Sequence, residues 1–159
     1  MKKKIKVGSM LKVKITKRAF RNLICFSAWF APWKGLRKFF HKLRGTKIGK
    51  KVEIGYYVFI DNRYPEMIEI QDRATVTSNC TILAHDLSMR YIDNTETVGE
   101  VVIGKGAFIG MNTIILPGVV IGENCIIGCG SVVTKDTEPN SIYVGVPAKL
   151  IKRLSPQKQ

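Results

Sequence analysis

An aliphatic residue returns every six positions, six times in succession: Ile103, Ile109, Ile115, Ile121, Ile127 and Val133. A helix requires spacings of three and four, and a half-buried strand requires two. A strict six satisfies neither, but it satisfies a solenoid whose wall is rebuilt every six residues. The same register holds at Ile48, Ile54 and Ile60 and again at Ile70, Val76 and Ile82. Three sixes make one three-sided coil of about eighteen residues with the aliphatic residues stacked inside. The expected fold is therefore an all-β solenoid over residues 45–153. Gly104, Gly110, Gly122 and Gly128 directly follow four of the repeat residues. With Pro117-Gly118 they are expected at tight corners that need unusual backbone angles.

The repeat is broken in three places. RYPEMIE at 63–69 interrupts it with Pro65 at a turn, and LSMRYIDNTETVGE at 87–100 carries no aliphatic spacing. The second stretch, polar and turn-like, is expected as a loop extruded from the coil, where repeat proteins tend to carry their binding surface. Pro139 and Pro147 halt further coils, KLIKR is expected as a short terminal helix or tail, and residues 154–159 form the tail proper.

Charge divides the chain as sharply as the repeat does. Residues 1–52 hold seventeen Lys and Arg and no Asp or Glu, whereas residues 53–159 hold nine basic and twelve acidic residues, so the net +14 splits into +17 and −3. The basic character belongs to the extension, residues 1–44, and the start of the first coil. The longest apolar run there, Leu23 to Trp33, is eleven residues long, short of the ~20 that span a bilayer. It lacks the small-residue cleavage pattern of a signal peptide. Pro32 predicts a division into two short helices. Leu36, Phe39, Phe40 and Leu43 make a helical stripe with Lys34, Arg37, Lys38, Lys42 and Arg44 on the other sides, and Trp29 and Trp33 stand beside it. That composition suits a helix lying in a membrane interface; the alternative is a helix that caps the solenoid with its lysines solvated. No zinc-finger, helix-turn-helix or RNA-binding signature accompanies the basic run, and the body is mildly acidic, so nucleic acid is not the expected partner. Cys25, Cys80, Cys125 and Cys129 have neither metal nor disulfide spacing, and the last two suit a thin core. A reducing, cytoplasmic compartment is expected, peripheral to the inner face of the membrane.

Three segments in order carry a family resemblance: TILAHD before the extruded loop, then VVIGKGAFIGMNTIILPGVVIGENCIIGCGSVVTKD, then VGVPAKLIKR. Over residues 45–153 the chain resembles the hexapeptide-repeat acyltransferases, in the maltose and galactoside acetyltransferase-like branch that acetylates sugars and polysaccharide precursors. The resemblance implies a left-handed parallel β-helix, a homotrimer with sites between subunits, and acetyl-coenzyme A as donor, without a metal. The handedness is not deducible from the period, since parallel crossovers are normally right-handed.

Acetyl transfer to a hydroxyl needs a base for the proton, donors for the developing oxyanion, and alignment of both substrates. The chain has two histidines, His41 in the extension and His85 at the edge of the extruded loop. A free imidazole titrates near ~6.5 and is available as a base at neutral pH, which makes His85 the expected general base. Asp86 follows it, but neighbours on an extended chain point apart; it is placed with the acceptor instead, and what orients the His85 ring is left open between a backbone carbonyl and another carboxylate. No nucleophile constellation is present, so direct attack is expected. By resemblance Met111, Cys129, Thr134 and Lys135 line the pantetheine arm, and Lys149, Lys152 and Arg153 face the coenzyme A phosphates. Phe108 stands where many family members have Trp and keeps an aromatic platform for the acceptor. Asp61 and Asn62, which close the first coil, are placed on the acceptor side; a turn capped by the pair is the competing explanation. Within enzymes, an amino-sugar N-acetyltransferase or a serine-type O-acetyltransferase competes with glycan O-acetylation. Outside that group stand a carbonic anhydrase, for which one solenoid histidine is too few zinc ligands, and a structural or binding β-helix, which has no use for the extruded loop.

Overall fold

The structure, a computed structural model, describes residues 2–6 and 15–155, with the backbone alone described for Lys6 and residues 15–22. The end of the tail expected at 154–159 lies outside the described residues.

From Lys47 the chain walks round three parallel sheets in rotation. The first face stacks Lys47–Ile48, Ile68–Ile70, Val101–Ile103 and Val120–Ile121. The second includes Glu53–Ile54, Thr75–Val76, Phe108–Ile109 and Ile126–Ile127, and the third Phe59–Ile60, Thr81–Ile82, Ile114–Ile115 and Val132–Val133. Ile103 pairs with Ile121, Ile109 with Ile127, and Ile115 with Val133, each eighteen residues on. All six side chains are at most 1% exposed. Most of these strands are only two residues long, which is why the two-residue strand period gives way to six. Each buried isoleucine contributes about 1.5–3 kcal/mol by leaving water.

The glycines after the repeat residues serve a different purpose from the one expected. Gly104, Gly110, Gly122 and Gly128 do not adopt positive φ. They make room for the next coil: a Cβ on Gly104 would lie 2.6 Å from the Ile121 carbonyl oxygen, and one on Gly110 2.6 Å from the Cys129 nitrogen. Gly118, after Pro117, does take the corner conformation, at φ 77°. Asn112, Asn124 and Asn140 occupy the left-handed region at other corners, as asparagine does more readily than most residues.

Pro32 separates two helices, α1 (Ile15–Phe30) and α2 (Lys34–Leu43). The first coil has no coil beyond it to donate to its outer carbonyls, and α2 lies across this end. Arg37 donates to the Ile54 carbonyl at 2.9 Å, and Arg44 to those of Ile60 and Asp61 at 2.8 and 3.1 Å. Buried carbonyls are thus satisfied by guanidinium forks rather than by another strand.

Two segments expected without strands contain them. The stretch 87–100 begins as turns, but Thr95–Gly99 forms a strand flanked by Lys2–Lys6 on one side and His85–Asp86 on the other, both antiparallel. Its alternation buries Glu96 and Val98 and half-exposes Thr95 and Thr97; a buried carboxylate at an inward position hid the pattern. At the other end KLIKR is neither helix nor tail. Lys149–Arg153 turns back antiparallel on Ser141–Val144, which itself extends the second face beside Ile126–Ile127. The edge of that face offers unpaired backbone groups, and the chain returns to pair with them.

Candidate active site

Asp61 follows the third-face strand of the first coil, and His85 lies just past the strand stacked on it. Ile60 pairs with Ile82, so the 22-residue offset between these coils brings Asp61 against residues 83–85. His85 Nδ1 lies 2.6 Å from Asp61 Oδ2, with the Asp61 side chain fully buried and the His85 side chain 22% exposed. The same oxygen accepts the backbone N–H groups of Ala84 and His85 at 2.8 and 3.1 Å. Oδ1 accepts those of Arg63 and Tyr64 at 2.7 and 3.1 Å. Burial pushes the Asp61 carboxyl up, but the His85 ring and the amides of Ala84 and Arg63 outweigh it and hold the group below the usual carboxylate range. Asp61 is therefore an acceptor on every side. The His85 Nδ1–H is accordingly the donor of this contact, and in the neutral tautomer it selects, Nε2 is the acceptor.

A second cluster braces the first. The Tyr64 ring meets the His85 ring edge-on at 5.7 Å. Tyr64 Oη donates to Glu96 Oε1 at 2.8 Å, and Arg63 Nη1 lies 2.9 Å from Glu96 Oε2. Burial and the adjoining Glu96 carboxylate push the Tyr64 phenol up to about 12, so it stays a donor. The strand Thr95–Gly99 thus delivers a buried carboxylate that fixes Arg63 and Tyr64, two of the four residues whose amides hold Asp61. Tyr64 and Glu96 have no counterpart in the sequence-based expectations.

The other expected site residues are spread over the molecule. Asp61 does not face outward toward an acceptor, because both its oxygens are occupied within the chain. Asn62 accepts from Arg44 and belongs to the capped end of the coil. Asp86 accepts the backbone N–H of Ser88 at 2.8 Å and its hydroxyl at 3.1 Å, which turns the chain out of the His85 strand. Phe108, Met111 and Cys129 line one groove on the second face, walled by Tyr56 and Lys34. Cys129 is exposed there and is not core filler, unlike buried Cys125. Thr134 and Lys135 follow the last third-face strand and lie outside that groove. Lys149 and Lys152 are exposed on the terminal strand. Arg153 is engaged by Glu138 through both oxygens, at 2.8 and 3.0 Å. His85 does not line the groove of Met111 and Cys129; within one chain the two occupy different corners of the coil.

A profile of the family described as "Bacterial transferase hexapeptide (six repeats)" matches residues 100–135. The chain is 33% identical to "Putative acetyltransferase YvoF" of Bacillus subtilis (strain 168), over 84% of its own length and 77% of that protein's. The chain belongs to the hexapeptide-repeat acyltransferase family. It is also 30% identical to galactoside O-acetyltransferase of Escherichia coli (strain K12), over 81% of this chain and 62% of that one. Its fold matches a maltose O-acetyltransferase from Clostridium difficile 630 with a TM-score of 0.70, covering 89% of this chain and 88% of that one at 24% identity. A galactoside acetyltransferase in complex with coenzyme A matches at 0.71, covering 92% and 85%, again at 24% identity. In this hexapeptide-repeat acyltransferase, Asp61, His85, Tyr64 and Glu96 form a hydrogen-bonded constellation where the coil gives way to the antiparallel sheet.

Proposed function

We propose that the protein transfers an acetyl group from acetyl-coenzyme A to a hydroxyl of a sugar or polysaccharide precursor, with His85 as general base. The Asp61–His85 pair carries this proposal: a part-exposed imidazole held by a buried carboxylate in the tautomer that leaves Nε2 unprotonated. Nε2 takes the proton of the acceptor hydroxyl as its oxygen bonds to the thioester carbonyl carbon. The tetrahedral intermediate collapses with cleavage of the carbon–sulfur bond, and the imidazolium returns the proton to the departing thiolate. Asp61 stabilises the imidazolium between the two steps. The coil is left-handed in this proposal, and the molecule a homotrimer. The donor's pantetheine arm lies along Phe108, Met111 and Cys129 of one subunit toward His85 of the next, and the exposed Lys149 and Lys152 face the phosphates. We place the enzyme in the cytoplasm, with residues 1–44 at the inner face of the membrane. Kinship with acetyltransferases supports the donor, and the galactoside enzyme among the relatives supports a sugar hydroxyl as acceptor.

The test is thiol release from acetyl-coenzyme A across a panel of hydroxyl and amine sugars. Turnover is expected with a hydroxyl acceptor, and His85→Ala should lower it by about 10² to 10⁴ with donor affinity unchanged. Undiminished turnover in the variant overturns the assignment of the base, and acetylation of amines alone overturns that of the acceptor.

A further inference from the structure

Helix α2 buries its polar side. Arg37, His41 and Arg44, spaced four and three apart, are 3%, 1% and 4% exposed, and the two arginines cap the carbonyls of the first coil. The Arg37 guanidinium also stacks 4.0 Å over the Tyr56 ring. With that face committed to polar contacts, two of the apolar residues point out, Phe39 at 56% and Leu43 at 53% exposed, while Leu36 and Phe40 are half-buried. Helix α1 instead buries an apolar side, Ile24, Cys25 and Ala28, and still leaves Leu23, Phe26 and Phe30 between 58% and 67% exposed; Trp33 between the helices is 73% exposed. Single exposed apolar side chains are ordinary, but six large ones on two successive helices form an interaction surface. Lys38 and Lys42 lie within the same turns of α2, and residues 1–52 hold seventeen basic and no acidic residues.

We infer that the outward face of α1 and α2 docks on an anionic lipid bilayer. The partner must accept aromatic and aliphatic side chains to a shallow depth and present negative charge around them, which describes acyl chains beneath anionic headgroups. A symmetric contact between copies through the same face would oppose two clusters of like charge. Neither helix is long and apolar enough to cross a membrane, so the surface lies on the bilayer rather than in it. Docking stands independently of the acetyl transfer proposed above; a lipid-carried glycan as acceptor would rest on both.

The test uses the full chain, without acetyl donor, and vesicles of phosphatidylcholine with or without phosphatidylglycerol. Co-sedimentation is expected only with the anionic vesicles and should weaken as salt rises. The substitutions Phe26→Ser, Phe30→Ser and Trp33→Ser together should lower binding about tenfold or more, and Lys38→Glu with Lys42→Glu should lower it with the apolar stripe intact. In a Trp29→Phe background, Trp33 emission should shift to the blue and be quenched by brominated acyl chains. Unchanged Trp33 emission with anionic vesicles overturns the proposal. So does a fall in oligomeric state of the triple variant by sedimentation velocity with vesicle binding unaltered, which would assign the face to a second copy of the chain.

Discussion

Asp61 accepts from the imidazole and from four backbone amides, drawn from segments 61–64 and 84–85. No single oxygen of an amide side chain can replace both of its oxygens. In Asp61→Asn, an NH₂ in the place of Oδ1 orphans the N–H groups of Arg63 and Tyr64, whereas one in the place of Oδ2 orphans those of Ala84 and His85 and donates to His85 Nδ1, which places the proton on Nε2 and removes the proposed base. Turnover should therefore fall by about 10² to 10⁴ with donor affinity retained, and a loss of less than about threefold would show that the carboxylate does not set the tautomer. Since the folded state holds this carboxyl below its ordinary value of 3.8, its contribution to stability is complete above that pH and is lost progressively below it, as the unfolded chain protonates first, until the folded group protonates too. The position of His85 at the break of the repeat was legible in the sequence, as the one histidine of the solenoid. The part played by Asp61 was not, because the interruption at 63–69 stretches the offset between the first two coils from 18 to 22 residues and conceals which residues meet.

Among elements, α2 departs furthest from its sequence pattern. A stripe of leucine and phenylalanine suggests a buried face, yet the end of a β-coil offers bare carbonyls, and only donors satisfy them. His41, drawn inward with Arg37 and Arg44, shows what that burial does. Its Nδ1 lies 3.2 Å from Arg44 Nη1, and burial, reinforced by the Arg44 charge, pushes its pKa from 6.5 down to about 3. A histidine that stays neutral when folded leaves stability complete above pH ~6.5; below that, the unfolded chain takes up a proton that the folded chain refuses. Unfolding free energy measured in urea should thus drop by about 2 kcal/mol between pH 7.5 and 5 on account of this group. His41→Gln should flatten that slope whatever it does to stability at neutral pH; an unchanged slope would place the proton uptake elsewhere. The coils themselves were legible down to the residue, because each repeat position sees the same buried axis. The hairpin at Lys149–Arg153 and the strand at Thr95–Gly99 were not, since both are defined by the edge they pair with rather than by an aliphatic period.

At the scale of the molecule, His85 and the groove of Met111 and Cys129, to which the proposed function gives the base and the donor, do not meet within one chain. The residues expected along the donor arm that do share a groove, Met111 and Cys129, lie with Phe108 on the second face, whereas His85 lies past the third, where the antiparallel sheet begins. In the homotrimer proposed above, a neighbouring copy would complete each of three equivalent clefts. This arrangement makes a prediction that no property of the isolated chain can mimic. His85→Ala removes the base, and Met111→Glu puts a charge into the donor groove, so trimers of either variant should be nearly inactive. Trimers assembled from equal amounts of the two contain clefts in which an intact His85 from one subunit faces an intact groove from the next. Random assembly makes about a quarter of all clefts of this kind, and activity should recover to about a quarter of that of the unsubstituted enzyme. If base and groove served the same cleft from one chain, every cleft would keep one lesion, and mixing would restore nothing.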